Sequence, residues 1–369
     1  MASNSWGKVL RLTTWGESHG TAIGAVLDGF PAGLSITREE IQRDLDRRRP
    51  GYSSYTSPRR EPDYVHVLSG LFEGKSTGTP ISLLIGNENV DSAPYEEQAH
   101  LLRPGHAHYS YWKKYGLFDF RGGGRASARE TALRVAAGTF ARKLLQEEGV
   151  HLAAFLCQMG KLQISPYPHV ESLKVLLVHR EESELFCPDL QLSDQMGALL
   201  EQVQREGDSV GGAVSFLAEG VPAGWGDPVY EKLESSLAAA MLSIPASKGF
   251  EIGRGFEAAT LRGSEHNDLF IQKGEGEIGC ATNHAGGVLG GISTGQQLWG
   301  KVAFKPTSSL KRKQKSLSLE GKPALLSPSP KDRHDPCLAI RAVPVVEAML
   351  ALVLADSFLL HQATKRERS

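Results

Sequence analysis

Residues 121–144, RGGGRASARETALRVAAGTFARKL, hold the pattern from which the fold is read. Ser127 followed three residues later by Glu130 has the form of a capping box, and Leu133, Ala137, Phe140 and Leu144 then recur at helical spacing. The pattern predicts a helix that opens at Ser127 and buries one apolar face. Ahead of it, three consecutive glycines let backbone N–H groups approach an oxyanion closely, and a helix start adds unpaired amides and the positive end of its dipole. Arg121, Arg125 and Arg129 flank the turn, and a guanidinium offers forked donors to phosphate or carboxylate. Glycines, cap and arginines together favour an anion site over a solvated surface loop.

Working outward, residues 8–30 read as strand, turn and strand around GESHG (16–20). Thr37 and Glu40 form another capping box, so a helix is expected from Arg38 to Arg49, stopped by Pro50-Gly51. ISLLI at 81–85 reads as a short buried strand, and AVSFLA (213–218) and KVAF (301–304) as further strands. Other helices are expected at 194–206, at 228–242 behind Asp227 and Pro228, and at 344–361 behind Pro344. Residues 305–335 are rich in Ser, Pro and Lys with almost no apolar periodicity, which marks a lid or a disordered stretch. Strands and helices mix without regular alternation, and no composition break divides the chain. The reading is one α+β domain over residues 1–369, with a mobile basic loop at 305–335.

Composition narrows the function. The chain has 369 residues, 41 Lys plus Arg against 42 Asp plus Glu, and a formal net charge of -1. A dedicated nucleic-acid binder carries a basic excess, so no nucleic-acid partner is expected. Hydrophobic residues at 40% and 40 glycines allow a large core with many tight turns, which excludes a mainly disordered chain. The four cysteines, Cys157, Cys187, Cys280 and Cys337, form no CxxC pair, so a reducing cytosol is expected and no metal site is. The start resembles neither a signal nor a transit peptide. The apolar run Ala348–Ala355 is far short of a membrane span, so the expectation is a cytoplasmic protein with no membrane partner.

Further chemistry-bearing segments are individually ambiguous. Arg47, Arg48 and Arg49 fall in the last turn of a helix, where cations simply complement the dipole. GESHG and RPGHAHY (103–109) each place a histidine in a glycine-bearing turn, as candidate acid–base groups. His106 and His108 lack a third metal ligand nearby. NHAGGVLGGISTG (283–295) matches neither a dinucleotide fingerprint nor a phosphate loop. KPTSS (305–309) offers a cation and three hydroxyls, and RHDPC (333–337) pairs Arg333 with Asp335. Together these describe an enzyme for small anionic ligands and leave its reaction open.

In order and spacing, GESHG, DLDRRRPG, RPGHAHY, RGGGRASARETA, EGDSVGG, KGFEIGRGF, NHAGGVLGGISTGQ, KPTSS and RHDPCLAIRAVP resemble the chorismate synthase family over nearly the whole chain. The resemblance implies a β-α-β sandwich, helices between outer antiparallel sheets, assembled as a homotetramer. It implies anti 1,4-elimination of phosphate from 5-enolpyruvylshikimate 3-phosphate, without net redox change but dependent on reduced FMN. NADPH is left a role only as flavin reductant, and no added reductase domain is visible. The family pattern assigns substrate anions to Ser18, Arg48, Arg103, Arg129 and Arg333. It assigns proton transfer to His19 at the leaving phosphate, His106 at the flavin N1/C2 end and Asp335 as relay for N5. Matching flavin positions are Arg125, Ala126, Ser127, Pro245, Ala246, Gly290, Lys305, Pro306, Thr307, Ser308, Ser309 and Arg333. Three positions depart from the commonest pattern: Ser54 for an arginine, with Arg59 or Arg60 as substitutes, Pro245 for an asparagine, and His108 for an aspartate. None removes a proton-transfer residue, so an active enzyme is expected. The alternatives are a flavin reductase using NADPH and a non-catalytic RNA or anion binder using the basic stretch.

Overall fold

The computed structural model describes residues 3–53, 55–56, 61–88, 96, 98–164, 173–274, 276–328 and 335–364. Ser54, Arg59, Arg60 and Arg333 lie outside the described residues. One sheet is built from β1 (Ser5–Trp6), β2 (Arg11–Trp15), β3 (Ala22–Asp28), β4 (Val65–Ser69) and β5 (Ile81–Gly86), in the order β1-β2-β3-β5-β4 with every pair antiparallel. The second holds β6 (His151–Met159), β7 (Leu162–Gln163), β8 (Gly212–Glu219), β9 (Ser247–Ile252) and β10 (Leu298–Phe304). Its order is β9-β10-β8-β6-β7, again antiparallel. Between the sheets lie α1 (Arg38–Arg48), α3 (Thr131–Glu147) and α7 (Ala339–Thr364), α3 packing on β3 and β5 and α7 on β6 and β8. Helices α2 (His108–Tyr115), α4 (Leu173–Glu182), α5 (Leu190–Arg205) and α6 (Leu233–Leu242) complete the framework used below. This is the β-α-β sandwich of an α+β fold.

Periodicity explains the layers. In β5, Ile81, Leu83 and Ile85 are buried while Ser82 and Leu84 are only partly so, because alternate side chains of a strand point to opposite faces. Strand β8 is buried from Ala213 to Ala218, on both faces. Its outer face is covered by α4, whose Leu173 and Leu176 pack with Ala153, Phe155, Cys157 and Leu217. Helix α7 is long and apolar enough to cross a membrane, but 83% of its most apolar window is buried inside the protein. An all-round apolar helix is then the central strut of a large core. Helices α3 and α7 cross where Gly138 meets Ala348; a Cβ on Gly138 would stand 2.4 Å from the Ala348 methyl.

A buried ion cluster ties this layer together. Glu347 of α7 receives Arg47 of α1 at 3.2 Å, Arg142 of α3 at 3.3 Å and Arg180 of α4 at 2.8 Å. Arg180 also donates to the Ala154 carbonyl of β6 at 2.9 Å. Arg142 reaches on to Asp44, which accepts from the Thr139 hydroxyl. Arg47 is thus committed to the core, while its neighbour Arg48 turns toward the site.

Helix starts differ from expectation for identifiable reasons. The Thr37–Glu40 box is present and α1 begins where expected. Ser127, however, caps only a 3₁₀ turn over Ala128–Glu130, its hydroxyl accepting from the Arg129 N–H at 3.3 Å. Glu130 does not close a box but pairs with Arg134, and α3 starts at Thr131. Helix α6 begins at Leu233 instead of 228, because Val229 takes a left-handed φ of 70° that no helix accommodates. Asp189 caps α5 ahead of the expected start, accepting from the Leu192 N–H. Pro344 lies inside α7, which starts at Ala339. Within 305–335, β11 (Gln314–Leu317) and β12 (Pro323–Leu326) form an antiparallel hairpin docked on Leu101 and Leu102. One face is exposed and the other half-buried, but Leu317 and Leu325 sit on the exposed face and Gln314 and Ser316 on the half-buried one, so the sequence shows no apolar alternation.

Candidate active site

The glycine loop decides where the two histidines sit. Gly122, Gly123 and Gly124 take φ of 63°, 103° and 54°, a conformation that excludes most side chains. A Cβ on Gly122 would lie 2.1 Å from His19 Cε1, and one on Gly123 would lie 3.1 Å from His106 Cε1. Both imidazoles therefore rest against the bare backbone of one loop. The GESHG turn joins β2 to β3, and its Ser18 N–H donates to the Gly124 carbonyl at 3.4 Å. The Ser18 hydroxyl lies 3.1 Å from His19 Nδ1.

His106 closes a turn with the Arg103 carbonyl, and Lys305 Nζ donates to the Gly105 carbonyl at 2.5 Å. Next to it, His108 opens α2 and packs edge-on against His106 with ring centroids 4.1 Å apart. Burial pushes His108 down to about 4, with the nearby Arg103 acting in the same direction and Asp119 opposing. It is therefore neutral near pH 7, and its edge places no second charge beside His106.

Two arginines form a buried pair on a shared carboxylate. Arg48 Nη1 lies 2.9 Å from Asp63, and Arg129 Nη1 pairs with the other oxygen of the same group. Asp63 sits in the left-handed region at φ 51°, its side chain wholly buried. Burial alone would raise its pKa, but Arg48 and Arg129 outweigh this and hold it below the usual carboxylate range. Arg48 also donates to the Thr131 hydroxyl and the Ala128 carbonyl, and Arg129 to the Gly86 carbonyl. Burial, then the like charge of Arg341, pulls Arg48 down to about 10, still a cation at neutral pH. Each guanidinium has five N–H donors, so this scaffold fixes its plane and leaves donors to spare. On the far side, Arg341 donates to Asp335 at 2.7 Å and to the Arg48 carbonyl at 3.1 Å.

These groups surround a cavity of about 490 Å³. Among the described residues its wall carries six cations, Arg48, Arg103, Arg129, Lys248, Lys305 and Arg341, against two carboxylates, Glu61 and Asp335. Of the positions named from sequence, Ser18, His19, Arg48, Arg103, His106, Ala126, Ser127, Arg129 and Asp335 line it. So do Pro245, Ala246 and the run Lys305, Pro306, Thr307, Ser308 and Ser309. Two positions are not brought there. The Arg125 side chain bonds Thr14 and Asn4, and Gly290 lies in the turn between Val288–Leu289 and Ile292–Ser293. Sequence reading did not single out Asp63, Glu61, Lys248 and Arg341. Lys248 opens the KGFEIGRGF motif and Arg341 lies within RHDPCLAIRAVP, so both stood in motifs with a local signal, whereas Glu61 and Asp63 did not.

Such a wall suits a ligand with several negative groups held beside groups that exchange protons. Two hydroxyl-rich stretches, at Ser127 and at Thr307 to Ser309, add donors for a phosphate, while Ala126, Pro245, Ala246 and Pro306 offer an apolar surface. That donor set fits a flavin mononucleotide, a phosphate joined to a flat ring.

Comparison with known proteins agrees over most of the chain. A family model described as chorismate synthase matches residues 10–359. The chain is 54% identical over 362 residues to a chorismate synthase of Protochlamydia amoebophila, covering 98% of each chain. It is 51% identical to one of Porphyromonas gingivalis, covering 96% of this chain and 95% of the relative. A solved structure titled as the crystal structure of chorismate synthase superposes with a TM-score of 0.77 at 32% identity, covering 96% of this chain and 93% of that one.

Proposed function

The chain belongs to the chorismate synthase family, and from that premise we propose that it eliminates phosphate from 5-enolpyruvylshikimate 3-phosphate to give chorismate. The observation that carries the reading is the cavity with six cationic side chains beside two histidines on one glycine loop. The substrate carries a phosphate and two carboxylates, so several fixed guanidiniums are needed to hold it and offset its charge. Arg48 and Arg129 supply two of these from their shared Asp63 scaffold. As the C–O bond to phosphate breaks, charge develops on the departing oxygen, and His19, beside Ser18, is placed to donate a proton there. The hydrogen lost from the ring carbon leaves as the second half of the elimination, and Asp335, held by Arg341, is the carboxylate that relays it.

Reduced FMN belongs to the same proposal, held by Ser127, Lys305 and Thr307 to Ser309 with Ala126, Pro245 and Ala246 against its ring. When bound, it supplies transient electron density for the breaking bond and takes no part in net redox change. His106 would then face its N1/C2 end, and NADPH enters only as its reductant. Segment 305–335 carries wall residues at both ends, and we read it as the element that moves when ligands enter, its hairpin travelling as a unit. Self-association is part of the reading too. Phe256, Leu269, Phe270 and Ile278 are each more than two-thirds exposed, apolar area of the kind that subunits cover.

The test is anaerobic phosphate release from the substrate with and without dithionite-reduced FMN. Release that requires reduced FMN is expected. Nicotinamide oxidation without shikimate intermediates would point instead to a flavin reductase, and steep salt-dependent RNA retention to a binder.

Arg48→Ala and Arg129→Ala should each weaken substrate binding by about 1.5–3 kcal/mol, the usual worth of a charge-assisted contact. Both should also lower the melting temperature, because each leaves Asp63 buried with half its compensation. Arg129→Lys should rescue binding only in part, since the fork is lost. Wild-type affinity in either alanine variant, read by titration calorimetry, contradicts the assignment.

A further inference from the structure

Asn87 follows β5 and is not part of the cavity wall, yet it touches both halves of the site. Its side-chain nitrogen donates to the Glu17 carbonyl at 3.0 Å and to the Gly20 carbonyl at 2.8 Å. Those two carbonyls bracket Ser18 and His19. Its side-chain oxygen accepts from Arg129 Nε at 2.8 Å, and its backbone N–H donates to the Thr21 carbonyl at 3.0 Å.

The amide orientation follows from chemistry. An asparagine side chain has one NH₂ group with two donors and one carbonyl acceptor. A flipped amide would set its NH₂ against a guanidinium N–H and its oxygen against two carbonyls, so only one assignment satisfies the network. Both donors and the acceptor are then in use, each on a residue or turn of the candidate site. No other uncharged side chain offers two donors and one acceptor on so short a stem.

We propose that Asn87 is a positioning residue that sets the His19 turn and the Arg129 guanidinium in one register. This rests on the reading of His19 as proton donor and Arg129 as anion contact. The gap it fills is specific. Arg129 sits on the glycine-loop side of the cavity and His19 on the β2–β3 turn, two segments about a hundred residues apart in the chain. The glycine loop touches the turn through Ser18 and Gly124, but Asn87 is the bond between the turn and the guanidinium itself.

Two substitutions separate the halves. Asn87→Asp keeps an oxygen for Arg129 but turns lone pairs toward the Glu17 and Gly20 carbonyls, which releases the turn. The expected result is a kcat lower by about 10- to 100-fold, the scale for an ångström-level displacement of a reacting group, with KM within about threefold of wild type. Asn87→Ala removes both halves, so KM should rise by about tenfold as well, as for a lost bond to a charged group. A merely structural residue would give both variants the same changes, in step with their loss of melting temperature. That pattern, or a wild-type kcat in Asn87→Asp, overturns the proposal. Arg129→Ala and His19→Ala run in the same assay as controls. If neither changes KM or kcat, the underlying site assignment falls and takes this inference with it. If both do and the Asn87 variants do not, the inference alone is wrong.

Discussion

His106→Ala is expected to lower turnover by roughly 10²–10⁴, the usual range for a positioned acid–base group. If His106 has the proposed proton-transfer role, the loss should persist at saturating flavin and substrate, since that role acts on the reacting groups and not on their capture. Stability should change little. The ring is partly exposed and rests against the bare backbone of Gly123 and the edge of His108. His108 stays neutral through the working range, pushed down to about 4 by burial, so it neither supplies nor repels a proton near pH 7. It therefore cannot substitute for His106, which is why the expected loss is large. Anaerobic phosphate release, together with a thermal melt, decides the matter: unchanged turnover in a folded variant removes His106 from the chemistry.

Glu347→Ala should be the most destabilising single change considered. It leaves Arg47, Arg142 and Arg180 around a vacated site, and breaking a buried ion pair by removing one partner costs about 3–5 kcal/mol. That is a large share of the roughly 5–15 kcal/mol that holds a typical domain folded. Glu347→Gln keeps the shape and loses the charge, so it should fall between the two. The pH dependence follows from the direction of the shift. Burial would raise the Glu347 pKa, but Arg47, Arg180 and Arg142 outweigh it and hold the group far below the usual carboxylate range. A depressed folded pKa gives stability that is complete above the unfolded value, about 4.3, and lost progressively as pH falls from there through the folded one. The difference between wild type and Glu347→Gln in urea unfolding should therefore be equal at pH 8 and pH 6 and shrink progressively below about pH 5. A difference that halves between pH 8 and pH 6 would show that charge is not what Glu347 contributes.

Those two residues mark how far sequence alone carries. His106 was legible, since a histidine beside glycine and arginine in RPGHAHY announces turn chemistry within a few residues. The Thr37–Glu40 cap and the helical spacing from Leu133 to Leu144 were legible for the same reason: each is a relation between residues no more than a few turns apart. The resemblance of nine motifs then supplied the sandwich and the family, which periodicity left at mixed α+β. The start of α3 was misplaced because Ser127 satisfies one amide of a 3₁₀ turn, and nothing in the sequence tells that turn from the first turn of an α-helix. The hairpin at 314–326 escaped because its half-buried face carries Gln314 and Ser316 while Leu317 and Leu325 lie on the exposed one, so residue type does not follow the alternation of burial.

The polar skeleton of the core and of the site belongs to tertiary structure. Glu347 gathers arginines from 167 to 300 positions away, Asp63 joins Arg48 to Arg129, and Asn87 joins Arg129 to the His19 turn. A buried carboxylate or amide outside a helix cap leaves no local pattern, so its partner is chosen only when the helices and sheets pack. Local sequence thus determined the elements, the glycine loop and the residue types that could carry charge and protons. Packing decided which of them meet, because a buried charge must find its counter-charge wherever the fold brings one.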